Sequence, residues 1–382
     1  MSISHRPPPS AVVLEVDHDP CVRTEQRWSR DPVVTTETAS PFSHPRLASP
    51  HVLPEPHYGI LWKHACESGD MSAVRRLGMG LAAVGRPAYI NMGRSEGLPP
   101  ERGVEDLRRA TWDVLDAAYT AGVRWVDAAR SYGKSEEFLG GWLAERGHRD
   151  VTVSSKWGYA YVGGWRMDAD VHEVKEHSLK RFQEQYAESR RLLGDDLAIY
   201  QVHSLTEDSP LFSDKALRAA LAEAFDDGVR LGFSTSGPRQ AETVRKALDM
   251  EVGGRRLFST VQSTWNVLEP SAGPALQEAH EGGVHVLVKE ALANGRLAVQ
   301  PPDPVQRVAR QHGVGPDAVA LAAVLDQPWA DTVLIGAVST AQLRSNLAAL
   351  DLVLDESVHE ALAPLSVPSA RYWAERAALP WT

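Results

Sequence analysis

From Leu77 onward the chain alternates two apolar patterns. Short aliphatic and β-branched runs read as strands at residues 79–84, 123–127, 151–155, 197–202, 229–234, 258–262, 284–288 and 332–335. Between them, apolar positions recur every three or four residues. That spacing predicts helices over residues 104–121, 136–146, 169–193, 216–226, 238–249, 272–281, 317–325 and 341–350. Gly122, Gly147, Gly194, Gly228 and Gly282 or Gly283 stand where helix C-caps belong. Eight strand–helix units in sequence predict a closed (β/α)8 TIM barrel rather than a doubly wound sheet.

The first 70 residues break the pattern. They hold 10 of the 25 prolines, 6 of the 14 histidines and both cysteines, Cys21 and Cys66. Apart from residues 11–16, neither the strand nor the helix period survives there. Such a segment buries too little apolar surface to offset its ordering entropy, so residues 1–70 are expected to be a mostly disordered extension before a barrel domain at 71–382. Its histidines lack ligand spacing, and Met71 offers an alternative start. The formal charge of −10 leaves no basic footprint for nucleic acid or a membrane surface. No apolar run reaches the roughly 20 residues of a membrane span, and Met1 opens no leader pattern. Two cysteines make no disulfide framework or metal pattern. The expectation is a cytoplasmic protein acting on a small molecule, with no metal.

In a (β/α)8 barrel the chemistry sits at the C-terminal ends of the strands. Strand two ends in Asp127, and its loop carries Tyr132. Strand three ends with Lys156 and strand four with His203. Each alone has an ordinary structural reading, as a turn residue, a packed phenol or a core histidine. Together they deliver three ionisable groups and a phenol to one rim. A lysine beside a phenol favours phenolate, and an aspartate keeps that lysine charged. A tuned phenol donates a proton to a developing alkoxide, and a nearby imidazole orients the carbonyl oxygen. The set contains no nucleophile, which points to hydride from an organic cofactor.

The run Gly122-Val-Arg-Trp-Val-Asp127-Ala-Ala-Arg-Ser-Tyr132-Gly-Lys-Ser135-Glu136 resembles the signature Gly-x-Arg-x-x-Asp-x-Ala-x-x-Tyr-Gly-x-Ser-Glu of the aldo/keto reductases. Lys156 follows strand three as the family lysine does, and residues 197–203 resemble the family's histidine segment. The resemblance implies a catalytic tetrad of Asp127, Tyr132, Lys156 and His203, with Tyr132 as general acid.

It also implies a cofactor site. Ser234 and Gln262 match residues that hold the nicotinamide carboxamide, while Thr235 replaces the family amide. Leu292 and Gly295 match the segment after strand seven, but Lys289 stands where the family usually places an aromatic that stacks on the nicotinamide. Residues 335–346 resemble the adenosine-binding segment, with Gly336, Gln342 and Asn346 matching. Val338 and Ser345 depart from it and leave a 2′-phosphate to Ser339, Thr340 or Arg344. NADPH is the expected cofactor over NADH. The motif Gly78-Met-Gly80-Leu-Ala-Ala83 fits a loose dinucleotide fingerprint but lacks the required strand before it and helix after it, so it reads as the first barrel strand.

Aromatic residues crowd the loop after Lys156, and more lie in the tail. Trp157, Tyr159, Tyr161 and Trp165, with Trp265 just beyond strand six, are expected to wall a pocket for an apolar or cyclic carbonyl compound, with Tyr372, Trp373 and Trp381 contributing from the C-terminus. The reading is hydride transfer between NADPH and an aldehyde or ketone, or the reverse oxidation of an alcohol or sugar. The alternative is a weakly active nicotinamide-binding regulatory subunit on the same barrel.

Overall fold

The computed structural model of the chain describes residues 72–382. The extension, both cysteines and Met71 lie outside the described residues. Eight strands close a parallel barrel: β1 (Leu77–Gly80), β2 (Trp125–Asp127), β3 (Thr152–Trp157), β4 (Leu197–Leu205), β5 (Arg230–Thr235), β6 (Thr260–Thr264), β7 (His285–Lys289) and β8 (Thr332–Ile335). Each pairs with its sequence neighbours. Met79 of β1 closes the ring by facing both Val126 and Ile335.

The helices that cover the barrel are α1 (Val104–Thr120), α2 (Ser135–Arg146), α3 (Leu179–Leu193), α4 (Lys215–Asp226), α5 (Gln240–Leu248), α6 (Gly273–Glu281), α7 (Pro316–Leu325) and α8 (Thr340–Leu347). Four further α-helices lie among the described residues: Arg296–Val299, Asp303–His312, Glu356–Leu362 and Ser369–Ala377. The last buries Tyr372 and Trp373 in a separate apolar cluster with Val305, Val308 and Leu362.

Alternation along the strands decides what faces the interior. Ser154, Lys156 and Gln201 turn inward, each donating to Asp127. Trp125, Ile199, Leu287 and Leu334 form a buried cluster of their own, with Trp125 stacked on His285 at 4.9 Å. At Gly232 a Cβ would lie 1.9 Å from Thr260 Oγ1, so β5 and β6 approach this closely only because β5 has no side chain there.

Two predicted elements differ. The first strand is Leu77–Gly80, because the chain turns at once into a loop tied by Leu81 N–H to Asp127 O at 2.9 Å. The helix expected over 169–193 begins at Leu179, where the Ser178 hydroxyl accepts from Arg181 N–H at 3.1 Å and caps it. The residues before it belong to an antiparallel hairpin of Tyr159–Tyr161 with Glu173–Lys175. Among the described residues, no helix is long and apolar enough to cross a membrane, and no acidic, His or Cys cluster could hold a metal.

Candidate active site

Asp127 ends β2 and is 2% exposed, a buried carboxylate that requires partners. Its Oδ1 accepts from Ser154 Oγ at 2.7 Å and from Gln201 Nε2 at 3.1 Å, and its Oδ2 from Lys156 Nζ. Lys156, fully buried, also donates to Ala128 O at 2.9 Å. The ammonium is thereby held 4.7 Å from the centre of the Tyr132 ring.

Tyr132 sits on the loop between β2 and α2, with its Oη 3.4 Å from Nε2 of His203 on β4. The two rings meet edge to face at 5.4 Å. The other imidazole nitrogen lies 3.4 Å from Ser131 Oγ. The structure thus brings Asp127, Tyr132, Lys156 and His203 together at the C-terminal end of adjacent strands.

Burial, and then the charge of Asp127, push the Tyr132 phenol well above its usual value near 10. This reverses the lowering expected from the sequence: the Lys156 charge is already paired with Asp127. His203 moves well below 6.5, first through burial and then through Lys156, Lys289 and Arg86. The pair therefore presents a protonated phenol and a neutral imidazole at neutral pH.

Asp127, Tyr132 and His203 line a cavity of about 540 Å³ that runs toward β8. Of the residues expected to hold cofactor, Gln262, Leu292, Gly295, Gly336, Gln342 and Asn346 line it. The others do not. Ser234 Oγ accepts from Ser204 N–H at 2.8 Å within the barrel wall, and Thr235 Oγ1 meets Ser263 Oγ at 2.6 Å. Ser339 caps α8, accepting from Gln342 N–H at 3.3 Å, and Thr340 is the first residue of that helix. Arg344 is exposed and outside the lining.

The three tryptophans require correction. Trp157 follows inward-facing Lys156, so it turns outward and packs on Phe182 at 5.1 Å. Trp265 packs on Trp329 at 5.6 Å. Trp165 donates from Nε1 to Arg102 O at 3.1 Å on the rim. None of the three lines the cavity, and neither do Tyr161, Tyr372 or Trp373; of the aromatic residues expected there Tyr159 and Trp381 do, joined by Tyr89.

Arg86 lines the cavity without a site reading in the sequence, and Lys289 lines it where an aromatic was expected. Arg86, 1% exposed, pairs with Glu173 at 2.8 Å and lies 5.3 Å from the Tyr132 ring centre and 4.9 Å from that of Trp381. Lys289 donates to Thr264 Oγ1 at 2.8 Å and pairs with Glu290 at 3.6 Å; burial lowers its ammonium to about 8. Beyond it the chain turns sharply through left-handed Ala293 and Asn294 into Gly295. A Cβ at Gly295 would lie 2.4 Å from Met92 O, so the loop after β1 crosses close over this turn. Three buried atoms in the lining have no protein partner: Arg86 Nε, Gln262 Nε2 and Asn294 Oδ1.

The fold is a parallel (β/α)8 barrel with a protonated phenol beside a neutral imidazole at one end and a cavity leading away from them. The chain belongs to the aldo/keto reductase family, whose model matches residues 105–366. It is 26% identical over 300 residues to "Protein tas" of Escherichia coli (strain K12), a match covering 64% of this chain and 85% of that protein. It is 25% identical over 298 residues to "Aldo-keto reductase str7" of Strobilurus tenacellus, covering 70% of this chain and 84% of that one. In fold it resembles the holo form of aldo-keto reductase AKR11C1 from Bacillus halodurans, with TM-score 0.57, 21% identity, and coverage of 77% of this chain and 92% of that one.

Proposed function

We propose that the protein transfers hydride between a nicotinamide dinucleotide and the carbonyl carbon of an aldehyde or ketone, with Tyr132 as general acid and, in reverse, general base. The observation that carries this reading is the contact of Tyr132 Oη with His203 Nε2 at 3.4 Å above the buried Lys156–Asp127 pair. The residues present also fit the cofactor: the unpartnered Gln262 Nε2 donor and Asn294 Oδ1 acceptor lie in the wall of one continuous cavity. Gln262 would hold the carboxamide end, and Gln342 and Asn346 the adenosine end. When bound, the dinucleotide supplies or accepts the hydride.

The chain's own residues manage the proton and the oxygen. Tyr132 keeps its proton throughout the neutral range and gives it to the carbonyl oxygen as negative charge develops there. Neutral His203 shares the oxygen's position with Tyr132 and donates a hydrogen bond that fixes the lone-pair direction. Lys156 stabilises the phenolate left behind, and Asp127, with Ser154 and Gln201, holds that ammonium in place. Tyr89, Tyr159 and Trp381 supply the apolar surface for the rest of the substrate.

The test is a panel of aldehydes and ketones with wild type and Tyr132→Phe, following loss of dihydronicotinamide absorbance and, separately, cofactor binding. The expected result is turnover in wild type, its loss by orders of magnitude in the variant, and unchanged cofactor affinity. Near-normal turnover in Tyr132→Phe overturns the assignment.

A further inference from the structure

The cavity carries different charges at its two ends. At the reacting end its cations are Arg86, Lys289 and Arg376, balanced by Glu173 and Glu290. At the end beside β8 the charged lining residues are Asp317 and Glu96. Among the described residues, no Lys or Arg lines that end.

Asp317 lies in the first turn of α7 and is 8% exposed. Its carboxylate accepts from Asn346 Nδ2 at 2.7 Å and Ser345 Oγ at 2.9 Å, both on α8. Glu96 comes from the opposite side, in the turn Ser95–Gly97 of the loop after β1. That turn presses on the end of β8: a Cβ on Gly97 would lie 2.7 Å from Val338 Cγ2 and 3.4 Å from Ser339 Oγ.

The hydrogen-bond inventory of this end is one-sided. Gln342 uses both amide atoms within the protein, accepting from Val338 N–H at 3.0 Å and donating to Gly93 O at 3.2 Å. Asn346 spends an N–H on Asp317, Ser345 spends its O–H there too, and Ser339 Oγ is turned to its helix cap. Val338 is apolar and buried. Among the side chains, what remains for a ligand is mostly acceptor oxygens, with the negative charge on Asp317 and Glu96. A ribose hydroxyl is a donor and suits them. A phosphate monoester brings a charge near −2 and only acceptors, and both features are unfavourable here. That a ligand belongs in this cavity is indicated independently by Asn294 Oδ1 and Gln262 Nε2, both buried and unpartnered.

We infer that the β8 end of the cavity selects a 2′-hydroxyl over a 2′-phosphate on the adenosine ribose, through Asp317 and Glu96, so that the chain uses NADH in preference to NADPH. This rests on the dinucleotide reading above and replaces the NADPH expected from the sequence. The sequence showed the departures at Val338 and Ser345. It did not show that Asp317, 29 residues before Asn346, places a carboxylate against the same helix.

The experiment titrates the full chain with NADH and NADPH by quenching of tryptophan fluorescence. Adenosine 5′-monophosphate and adenosine 2′,5′-bisphosphate serve as probes of the adenosine end alone. Wild type should bind NADH at least about tenfold more tightly than NADPH, with the same order for the two fragments. Asp317→Asn keeps an acceptor oxygen and removes the charge, so it should tighten NADPH severalfold and leave NADH little changed. Glu96→Gln, on an exposed turn, should act in the same direction with a smaller effect, and it carries the test if Asp317→Asn does not fold. Equal or tighter binding of NADPH by wild type overturns the inference while the dinucleotide reading stands. An unchanged ratio in both variants overturns the role of the carboxylates. Binding of neither dinucleotide by folded protein takes down the reading itself.

Discussion

Arg376, in the C-terminal helix, donates from Nε to both carboxylate oxygens of Glu290, each at 3.0 Å, and so ties the tail to the end of β7. Glu290 is a strained residue with φ 56, its side chain 8% exposed and lining the cavity. The tail is thus part of the site through a charge pair, beyond the aromatic residues that first drew attention to it.

Removing one partner of a buried pair leaves the other charge uncompensated. With the Arg376 side chain 21% exposed, Arg376→Leu should lower the unfolding free energy by up to about 3 kcal/mol, the low end for a buried pair, measured by urea denaturation at pH 7. The pH dependence has a definite sign. Burial would raise the Glu290 carboxyl, but Arg376 and then Lys289 outweigh it and hold the group at about 2, below its ordinary 4.5. A depressed carboxyl contributes stability above pH 4.5 that is lost as pH falls toward 2. In Arg376→Leu that acid-side loss should shrink, because folded Glu290 would then take up its proton at higher pH. Equal acid limbs in the two proteins would remove Arg376 as the cause.

Lys289 has the opposite signature. Its ammonium is lowered to about 8 from 10.5, mainly by burial, so between those values the unfolded chain binds more protons than the folded one. Lys289 should therefore contribute a rise in stability with pH from about 8 to 10.5, opposed near pH 10 by the buried phenols of Tyr132 and Tyr200, which stay protonated when folded. Lys289→Met should flatten that rise, read as the urea midpoint at pH 7.5, 9 and 10.5. A slope that survives the substitution would place its source elsewhere.

Much of this molecule was legible in its sequence, for a physical reason: strands buried on both faces read as aliphatic runs, and eight of them with intervening amphipathic helices have few closed solutions. The meeting of Asp127, Lys156 and His203 followed from each standing at a strand end. Trp157 departs from its expected place because strand alternation sets it opposite Lys156: if Lys156 faces in, Trp157 faces out. Arg86, Asp317 and Glu96 left no local signal, since their neighbours in space come from distant parts of the chain. The helical period over 169–178 was a coincidence of polar spacing in a hairpin and its connection.

That correction makes two tryptophans behave differently. Trp157→Ala empties a core position and should cost about 3–5 kcal/mol of stability, with KM for a carbonyl substrate little changed in the folded fraction. Trp381 lines the cavity near its surface. Trp381→Ala should leave the denaturation midpoint nearly unaltered and raise KM by roughly tenfold. The reverse pattern would restore Trp157 to the pocket.

Tyr132 and His203 predict a pH profile that separates their roles. Burial and Asp127 hold the Tyr132 proton well past neutrality, so carbonyl reduction, which consumes that proton, should be flat through pH 6–8. Alcohol oxidation requires the phenolate and should climb steadily as pH rises into the alkaline range. His203 is held neutral by burial and by the surrounding cations, so it should add no break near 6.5. His203→Gln keeps a donor and should retain more turnover than His203→Leu, while Tyr132→Phe should lose about 10²–10⁴-fold. A break near pH 6.5 that disappears in His203→Gln would mean that the imidazole titrates during turnover and is itself the proton donor. Without such a break, and with the alkaline climb of oxidation absent in Tyr132→Phe, the phenol is the group that moves the proton.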